Sequence, residues 1–259
     1  MAKKTLTSLR ARATDRSPRT LVIDIGATGI KAALLNDLRR HLGRRRRRET
    51  PPSGKPEAVM DIVVELSKRF EPFDRVAVGF PGVIFEGIVK QAPNLAREWQ
   101  DFNIAEVLQA KLKKPVRVAN DADVQGFGAI SGTGVELVVT LGTGVGTSLF
   151  IDGRLVPNME MGKDKLRASA LKKIGKRRWN KRLGIYIKRL EDIFHFHRLY
   201  IGGGNAAYVD VRKLPANVRI VSNQNGLIGG LALWRYASEP SETQPIKQSK
   251  SPPAVPKAA

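Results

Sequence analysis

The sequence predicts an α/β protein of two domains with a cleft between them, and two glycine turns carry that prediction. Leu21 to Ile25 is an apolar strand interrupted by Asp24; Gly26-Ala27-Thr28-Gly29 follows, and Ile30 to Leu35 is strand-like again. Leu137-Val138-Val139 runs through Thr140-Leu141 into Gly142-Thr143-Gly144-Val145-Gly146-Thr147, then into the apolar run Ser148 to Ile151 and a turn at Asp152-Gly153. A P-loop needs Lys-Ser/Thr at the head of a helix, and a dinucleotide fingerprint needs a helix after its glycines. Here each glycine turn is followed by a strand. Alternate glycines let a backbone approach a ligand closely, and the freed N–H groups and threonine hydroxyls suit phosphate. Taken alone, the second turn reads equally well as a glycine-bearing hairpin. A matching turn at the head of the other half of the chain favours the phosphate loop.

The other elements follow in order. Met1 to Thr20 is polar, basic and without periodicity, a disordered tail, with a transit peptide as the lesser alternative. After Asn36-Asp37, Arg39, Arg40 and the run Arg44 to Arg48 form either a solvated, self-repelling edge or a phosphate-binding ridge, since guanidinium forks match phosphate oxygens. Lys55 to Phe70 has helical spacing at Val59, Ile62, Val63 and Leu66, and Arg75 to Phe80 is a buried-type strand. The loop Ala92 to Leu95 precedes Trp99, and Ile104 to Leu112 is an amphipathic helix. Pro115 to Ala119 is a strand that delivers Asn120-Asp121-Ala122-Asp123 at its carboxyl end, where ligands bind in open α/β sheets. Asp121 is either a reactive carboxylate or a helix N-cap; for Asp123 a cap is the preferred reading.

Lys163 to Arg182 contains ten Lys or Arg among twenty residues. Leu166, Ala170, Ile174, Trp179, Leu183, Ile187 and Leu190 keep helical spacing through it, giving helices with one buried stripe and a cationic exposed face. His197 to Ile201 is a strand ending in Gly202-Gly203-Gly204, Arg219 to Val221 a last strand, and Asn225 to Tyr236 a helix whose glycines permit close packing. Ser238 to Ala259, rich in Pro, Ser and Lys, is a second disordered tail. The domain boundaries are thus 1–20 tail, 21–119 small N-terminal domain, 120–237 larger C-terminal domain and 238–259 tail.

Composition narrows the chemistry. With 259 residues, 42% of them hydrophobic, the chain can bury a real core. It has no cysteine, which removes disulfides and thiolate metal sites, zinc included. No apolar run reaches membrane-span length and the basic start lacks a signal-peptide core, so a cytoplasmic protein is expected. The net charge of +21 implies a polyanionic partner: nucleic acid, an anionic membrane surface or a phosphate polymer.

Five segments in order now carry a resemblance: Asp24 to Lys31, Asn120 to Asp123, Leu141 to Gly146, Leu155 to Glu160 and Ile201 to Gly204. They resemble the signatures of the ROK (repressor, ORF, kinase) sugar kinases, and within that family the polyphosphate glucokinases, over about Leu21 to Tyr236. The element Asn94, Leu95, Trp99 and the missing cysteine cluster fit that subgroup. The resemblance implies an actin-like ATPase (ribonuclease H-like) fold and transfer of a phosphoryl group from polyphosphate, ATP or both to the 6-hydroxyl of glucose, with Mg²⁺ and without zinc. Asp121 would be the general base. Asn94, Asn120, Glu160 and Lys163 would contact the sugar. Asp24 would help place Mg²⁺, and Gly26, Thr28, Lys31, Gly142, Thr143, Gly144, Gly202, Gly203 and Gly204 would hold the donor. A homodimer is expected as well.

Three positions depart from the family pattern. Lys163 stands where His is usual and can donate but not accept; the following segment is short, so a second sugar-binding Glu is unplaced; and Ala27 replaces a Gly. The charge favours a polymeric donor, because a long polyanion rewards an extended cationic track where a nucleotide needs one pocket. Arg44, Arg45 and Arg46 with Lys172, Lys173, Lys176, Arg177 and Arg178 are the candidates for it. The alternative is a weakly active or non-catalytic ROK-like protein that holds nucleic acid or another polyanion by charge alone. Specific nucleic-acid binding is not expected, because twenty residues before Leu21 are too few for a helix-turn-helix.

Overall fold

The computed structural model describes residues 17–93, 95–161, 164–222 and 225–235. Most of the expected basic tail, and all of the expected tail from 238 to 259, lie outside the described residues. The N-terminal sheet contains β1 (Thr20–Ile25), β2 (Ile30–Leu35), β3 (Arg46–Arg48), β4 (Arg75–Phe80) and β7 (Val116–Asn120), in the order β3-β2-β1-β4-β7. A hairpin of β5 (Val83–Phe85) and β6 (Ile88–Gln91) stands apart from it. The second sheet joins β8 (Val135–Leu141), β9 (Val145–Ile151), β10 (Arg154–Val156), β11 (Arg198–Gly202) and β12 (Val218–Ile220), in the order β10-β9-β8-β11-β12.

The two orders are the same. In each sheet a three-stranded antiparallel meander is extended by two parallel strands from the side of its first strand. Each glycine turn therefore joins the first two strands of a meander, so the two turns occupy equivalent places in the two halves. This is the α/β arrangement that the turns predict and the actin-like ATPase fold that the resemblance implies.

The central parallel strands read as continuous apolar runs because both of their faces are covered. Over β1, Leu21, Ile23 and Ile25 pack with Val59 and Val63 of α1 (Pro56–Ser67) and with Ile104 and Leu108 of α2 (Ile104–Leu112). Trp99 is fully buried in this core, and its indole N–H donates to the Gly54 carbonyl at 2.7 Å. The second core forms where Leu137, Val139, Leu199 and Ile201 meet Trp179, Leu183, Ile187 and Leu190 of α4 (Ala168–Phe194). The buried stripe of α4 is the periodic one. Gly175, with φ 75° and ψ 159°, is non-helical and bends α4 into two segments.

Two elements differ from the sequence reading. Arg46 to Arg48 is a strand, because its backbone pairs with β2 (Ile30 with Arg48, Lys31 with Arg47, Ala32 with Arg46). Its side chains are exposed and its position is the sheet edge, where charge discourages further pairing. The expected helix from Asn225 to Tyr236 is only α5 (Asn225–Gly229), followed by a 3₁₀ turn, Ala232–Trp234; Tyr236 lies outside the described residues. Close packing outweighs helical continuity here: a Cβ on Gly229 would collide with the Val124 carbonyl, and one on Gly230 with the Val22 side chain. Leu227 and Leu231 join Val22, Ala33, Leu35 and Ala77, so the end of the described chain returns to cover the first sheet.

Candidate active site

A cleft of about 460 Å³ opens between the two halves, lined by residues of both glycine turns. Its floor is the junction of β7 with α3 (Asp121–Phe127). Asn120, the last residue of β7, caps α3. Its Oδ1 accepts from the Ala122 N–H at 2.8 Å and the Asp123 N–H at 3.4 Å, and its Nδ2 donates to the Gly82 carbonyl at 2.9 Å. The cap expected at Asp121 or Asp123 is therefore Asn120, one residue earlier than the first of them. Capping by Asn120 leaves Asp121 as the first helical residue, partly exposed on the cleft wall.

The carboxylates here are crowded, with Asp123 buried, Asp121 half-buried and Glu160 at the exposed rim. Burial, then the Asp24 carboxylate, pushes Asp121 up to about 7; Asp123 and Glu160 add to the rise and the Ala122 N–H opposes it. Asp123 is buried and also pushed up to about 7, chiefly by desolvation, with Glu160 adding and the Asn158 N–H opposing. One of its oxygens, Oδ1, has no hydrogen-bond partner. Glu160 is raised by desolvation. A carboxyl group held near neutrality is what proton abstraction at physiological pH requires.

On the side of the first glycine turn, Lys31 donates to Asp24 at 3.0 Å, and both line the cleft with Gly26, Ala27 and Thr28. The Gly26 N–H closes its turn on the Gly29 carbonyl at 3.0 Å, and the Gly142 N–H closes the other on the Gly144 carbonyl at 2.9 Å. The Gly142 carbonyl accepts from the first N–H of α4, that of Ala168, at 2.8 Å, and from Asn205 Nδ2 at 3.2 Å. Thr143 and Gly144 line the cleft beside it, as do Gly203 and Gly204. Gly203, at φ 85°, is where the end of β11 passes the backbone of Leu141 too closely for any Cβ. A Cβ on Gly142 would meet nothing, so its bareness answers to the open cleft rather than to packing. Gly202 ends β11 in the interior and does not line the cleft.

The loop bearing Glu160 is fixed from three sides. Asn158, at φ 58°, donates its backbone N–H to Asp123 Oδ2 at 3.3 Å and pairs its side-chain amide with the Ile84 backbone. Thr147 Oγ1 donates to the Met159 carbonyl and accepts from the Met161 N–H at 2.9 Å. Tyr186 donates to the Met161 carbonyl at 3.0 Å. Asn94 and Lys163, the other expected sugar contacts, lie outside the described residues.

The cationic residues divide into two groups. Arg45 lines the cleft, whereas Lys172, Lys173, Lys176, Arg177 and Arg178 are exposed along α4 and do not. Arg167, just before α4, also lines the cleft, together with Gln91 and Gln125. Sequence reasoning did not single out these three. Arg167 is one cation among ten in its stretch, and only the meeting of the α4 start with the Gly142 turn distinguishes it. Among the described residues no cluster of three or more His, Cys, Asp or Glu could hold a metal, and no helix is long and apolar enough to cross a membrane.

Residues 20–162 match the model of the ROK family. The chain belongs to that family. It is 28% identical over 232 residues to the polyphosphate glucokinase of Mycobacterium leprae, a match covering 80% of this chain and 72% of that protein. It is 32% identical over 148 residues to the polyphosphate glucokinase of Mycobacterium tuberculosis, covering 54% of this chain and 56% of the relative. Among solved structures, the inorganic polyphosphate/ATP-glucomannokinase of Arthrobacter sp. strain KM superposes with a TM-score of 0.75 at 31% identity, covering 83% of this chain and 97% of that one. The ROK kinase fold thus extends over both halves of the chain.

Proposed function

We propose that this ROK protein is a sugar kinase that transfers a phosphoryl group from inorganic polyphosphate, with ATP as a second donor, to the 6-hydroxyl of glucose. The observation that carries this reading is Asp121: a carboxylate at the head of α3, pushed up to about 7, open to a cleft with a glycine turn from each half. The names of the relatives support the choice of sugar and donor, and the net charge of +21 supports a polymeric one.

In this mechanism Asp121 takes the proton from the sugar hydroxyl as that oxygen attacks the terminal phosphorus. The bond from phosphorus to the bridging oxygen breaks, and the leaving phosphate chain, one unit shorter, or ADP, carries away the electron pair. Phosphoryl transfer depends mostly on positioning and charge stabilisation. The amides of the Gly26 and Gly142 turns, the hydroxyls of Thr28 and Thr143, and Lys31, Arg45 and Arg167 supply these to the donor oxygens. Glu160 holds sugar hydroxyls, and Asn120 sets the direction of Asp121. Mg²⁺ is bound by one or two carboxylates together with substrate phosphates, and Asp24 beside the donor turns fits that donor set. The ion, when bound, would neutralise charge on the transferred group. Asp24 is the ligand the protein offers it, with Lys31 fixing that carboxylate.

A donor panel of ATP, GTP and polyphosphate with glucose and Mg²⁺ tests the reading. Glucose 6-phosphate from polyphosphate and from ATP is expected, and its formation from neither would refute it.

A further inference from the structure

The cleft does not end at Arg45. Arg45 also lines a groove of about 340 Å³ on the outer edge of the first sheet, walled by Arg45 to Arg48 and Arg69 against a single carboxylate, Glu65. Arg46 and Arg69 in turn line a third cavity, of about 1040 Å³, together with Arg44, with Arg19 paired to Asp74, and with Glu71. Three hollows therefore adjoin through shared arginines, from the donor turns along the β3 edge to the start of β1 and the end of β2.

The pleat of β3 builds this path. Successive side chains of a strand point to opposite faces. Arg47 turns back to the first glycine turn, where its guanidinium donates to the Thr28 carbonyl at 3.1 Å and lies over Gly29. Arg48, its neighbour, reaches α1 and pairs with Glu65. One short strand thus presents arginines on both sides of a sheet edge. Among the described residues Arg44, Arg45, Arg46 and Arg69 have no ion pair. Blunting a sheet edge needs only a charge or two; Arg45, Arg46 and Arg69 along the groove, with Arg44 in the cavity beyond it, raise the local positive potential and favour a polyanion.

We infer that the groove is a second binding site for the phosphate polymer: the donor chain leaves the cleft past Arg45 and runs over the β3 edge to Arg46 and Arg69. This rests on the proposed donor. It assigns the extended track to the β3 edge and leaves the exposed cations of α4 outside it. A compact nucleotide or a short oligophosphate fills the cleft and never reaches Arg69.

The experiment compares wild type, an Arg46→Gln/Arg69→Gln double variant, and a variant with Lys172, Lys173, Lys176, Arg177 and Arg178 changed to Gln. Binding of long-chain polyphosphate and of tripolyphosphate is measured across a salt series, alongside glucose 6-phosphate formation from ATP. The double variant should bind long chains about five- to tenfold more weakly, with a shallower salt dependence as fewer counterions are released. Its tripolyphosphate affinity and ATP-driven rate should match wild type, and the α4 variant should lose less long-chain affinity than the double variant. Unchanged long-chain binding in the double variant, a loss shared equally by tripolyphosphate, or a larger loss in the α4 variant would overturn the inference. So would a single-stranded oligonucleotide that displaces long-chain polyphosphate and binds more tightly. If long chains bind as described yet yield no glucose 6-phosphate, the proposed function fails and the site stands; if they are used and the double variant is indistinguishable, the site fails alone.

Discussion

The side-chain amide of Asn158 forms two hydrogen bonds with the backbone of Ile84, donating to its carbonyl at 2.9 Å and accepting from its N–H at 3.1 Å. The two residues are far apart in sequence and belong to opposite halves of the chain. Asn158 mimics a strand partner for β5, and its own N–H is held by Asp123. The loop that carries Glu160 is thereby tied to the N-terminal half, so the proposed sugar side of the cleft is set by both halves together.

Replacing Asn158 with Ala removes that tie and leaves the Ile84 groups without their partner. A stability loss of about 1–3 kcal/mol is expected. The KM for glucose should rise several-fold while that for ATP moves little, because Asn158 itself bonds Ile84 and Asp123 and neither glycine turn. Steady-state kinetics in each substrate check this; a rise confined to the donor KM would contradict it.

Thr147 acts on the same loop from within the C-terminal half. Thr147→Val keeps the shape and removes the hydroxyl, leaving the Met161 N–H unpaired beside Glu160. A cost of about 1–3 kcal/mol in unfolding free energy and a raised glucose KM are expected. Thr147→Ser should restore both, and failure of that rescue would show that the methyl group, not the hydroxyl, matters.

Asp121 must be ionised to accept a proton, and its environment raises it to about 7. The profile of kcat/KM against pH should therefore climb through an apparent pKa near neutrality and not near the ordinary aspartate value of about 4. Asp24, Asp123 and Glu160 influence Asp121, so the limb belongs to the coupled group. An acidic limb near pH 4 would contradict the assignment; the measurement is a rate profile from about pH 4 to about pH 9.

Asp123 makes a prediction about stability. Its pKa is higher folded than unfolded, so the folded state binds the proton more tightly. Its stabilising contribution is full below the unfolded pKa of about 4 and is lost as pH rises through about 7. Asp123→Asn keeps an acceptor for the Asn158 N–H without the charge. At pH near 8 it should be more stable than wild type by about 1–3 kcal/mol, a gain that shrinks towards about pH 5. Urea unfolding at both pH values measures it, and a gain larger at the lower pH would reverse the argument.

Much of this architecture was legible from residue patterns, and the exceptions share a cause. The strands around both glycine turns, the helix at Ile104, and the buried stripe of α4 follow from apolar spacing, which burial reproduces directly. The β3 strand has no such spacing. Three arginines become a strand only because β2 offers an edge, so nothing local marks them. The C-terminal helix was cut short by two glycines whose contacts, with Val124 and Val22, lie far away in sequence. Within the site, Asp121 and the glycine turns were visible as motifs. The true cap, Asn120, was missed by one residue because strand ends are poorly marked. Arg167 reaches the cleft through topology alone, whereas Gln125 stands one helical turn after Asp121 on the same face of α3.

The central claim is that Asp121 is the base in a phosphoryl transfer to a sugar hydroxyl. Its most direct test is the initial rate of glucose 6-phosphate formation by wild type and Asp121→Asn, with saturating glucose, Mg²⁺ and either polyphosphate or ATP, after both proteins are shown to unfold alike. The account predicts a loss of about 10²–10⁴-fold in the variant with both donors. A variant that transfers at close to the wild-type rate would contradict it.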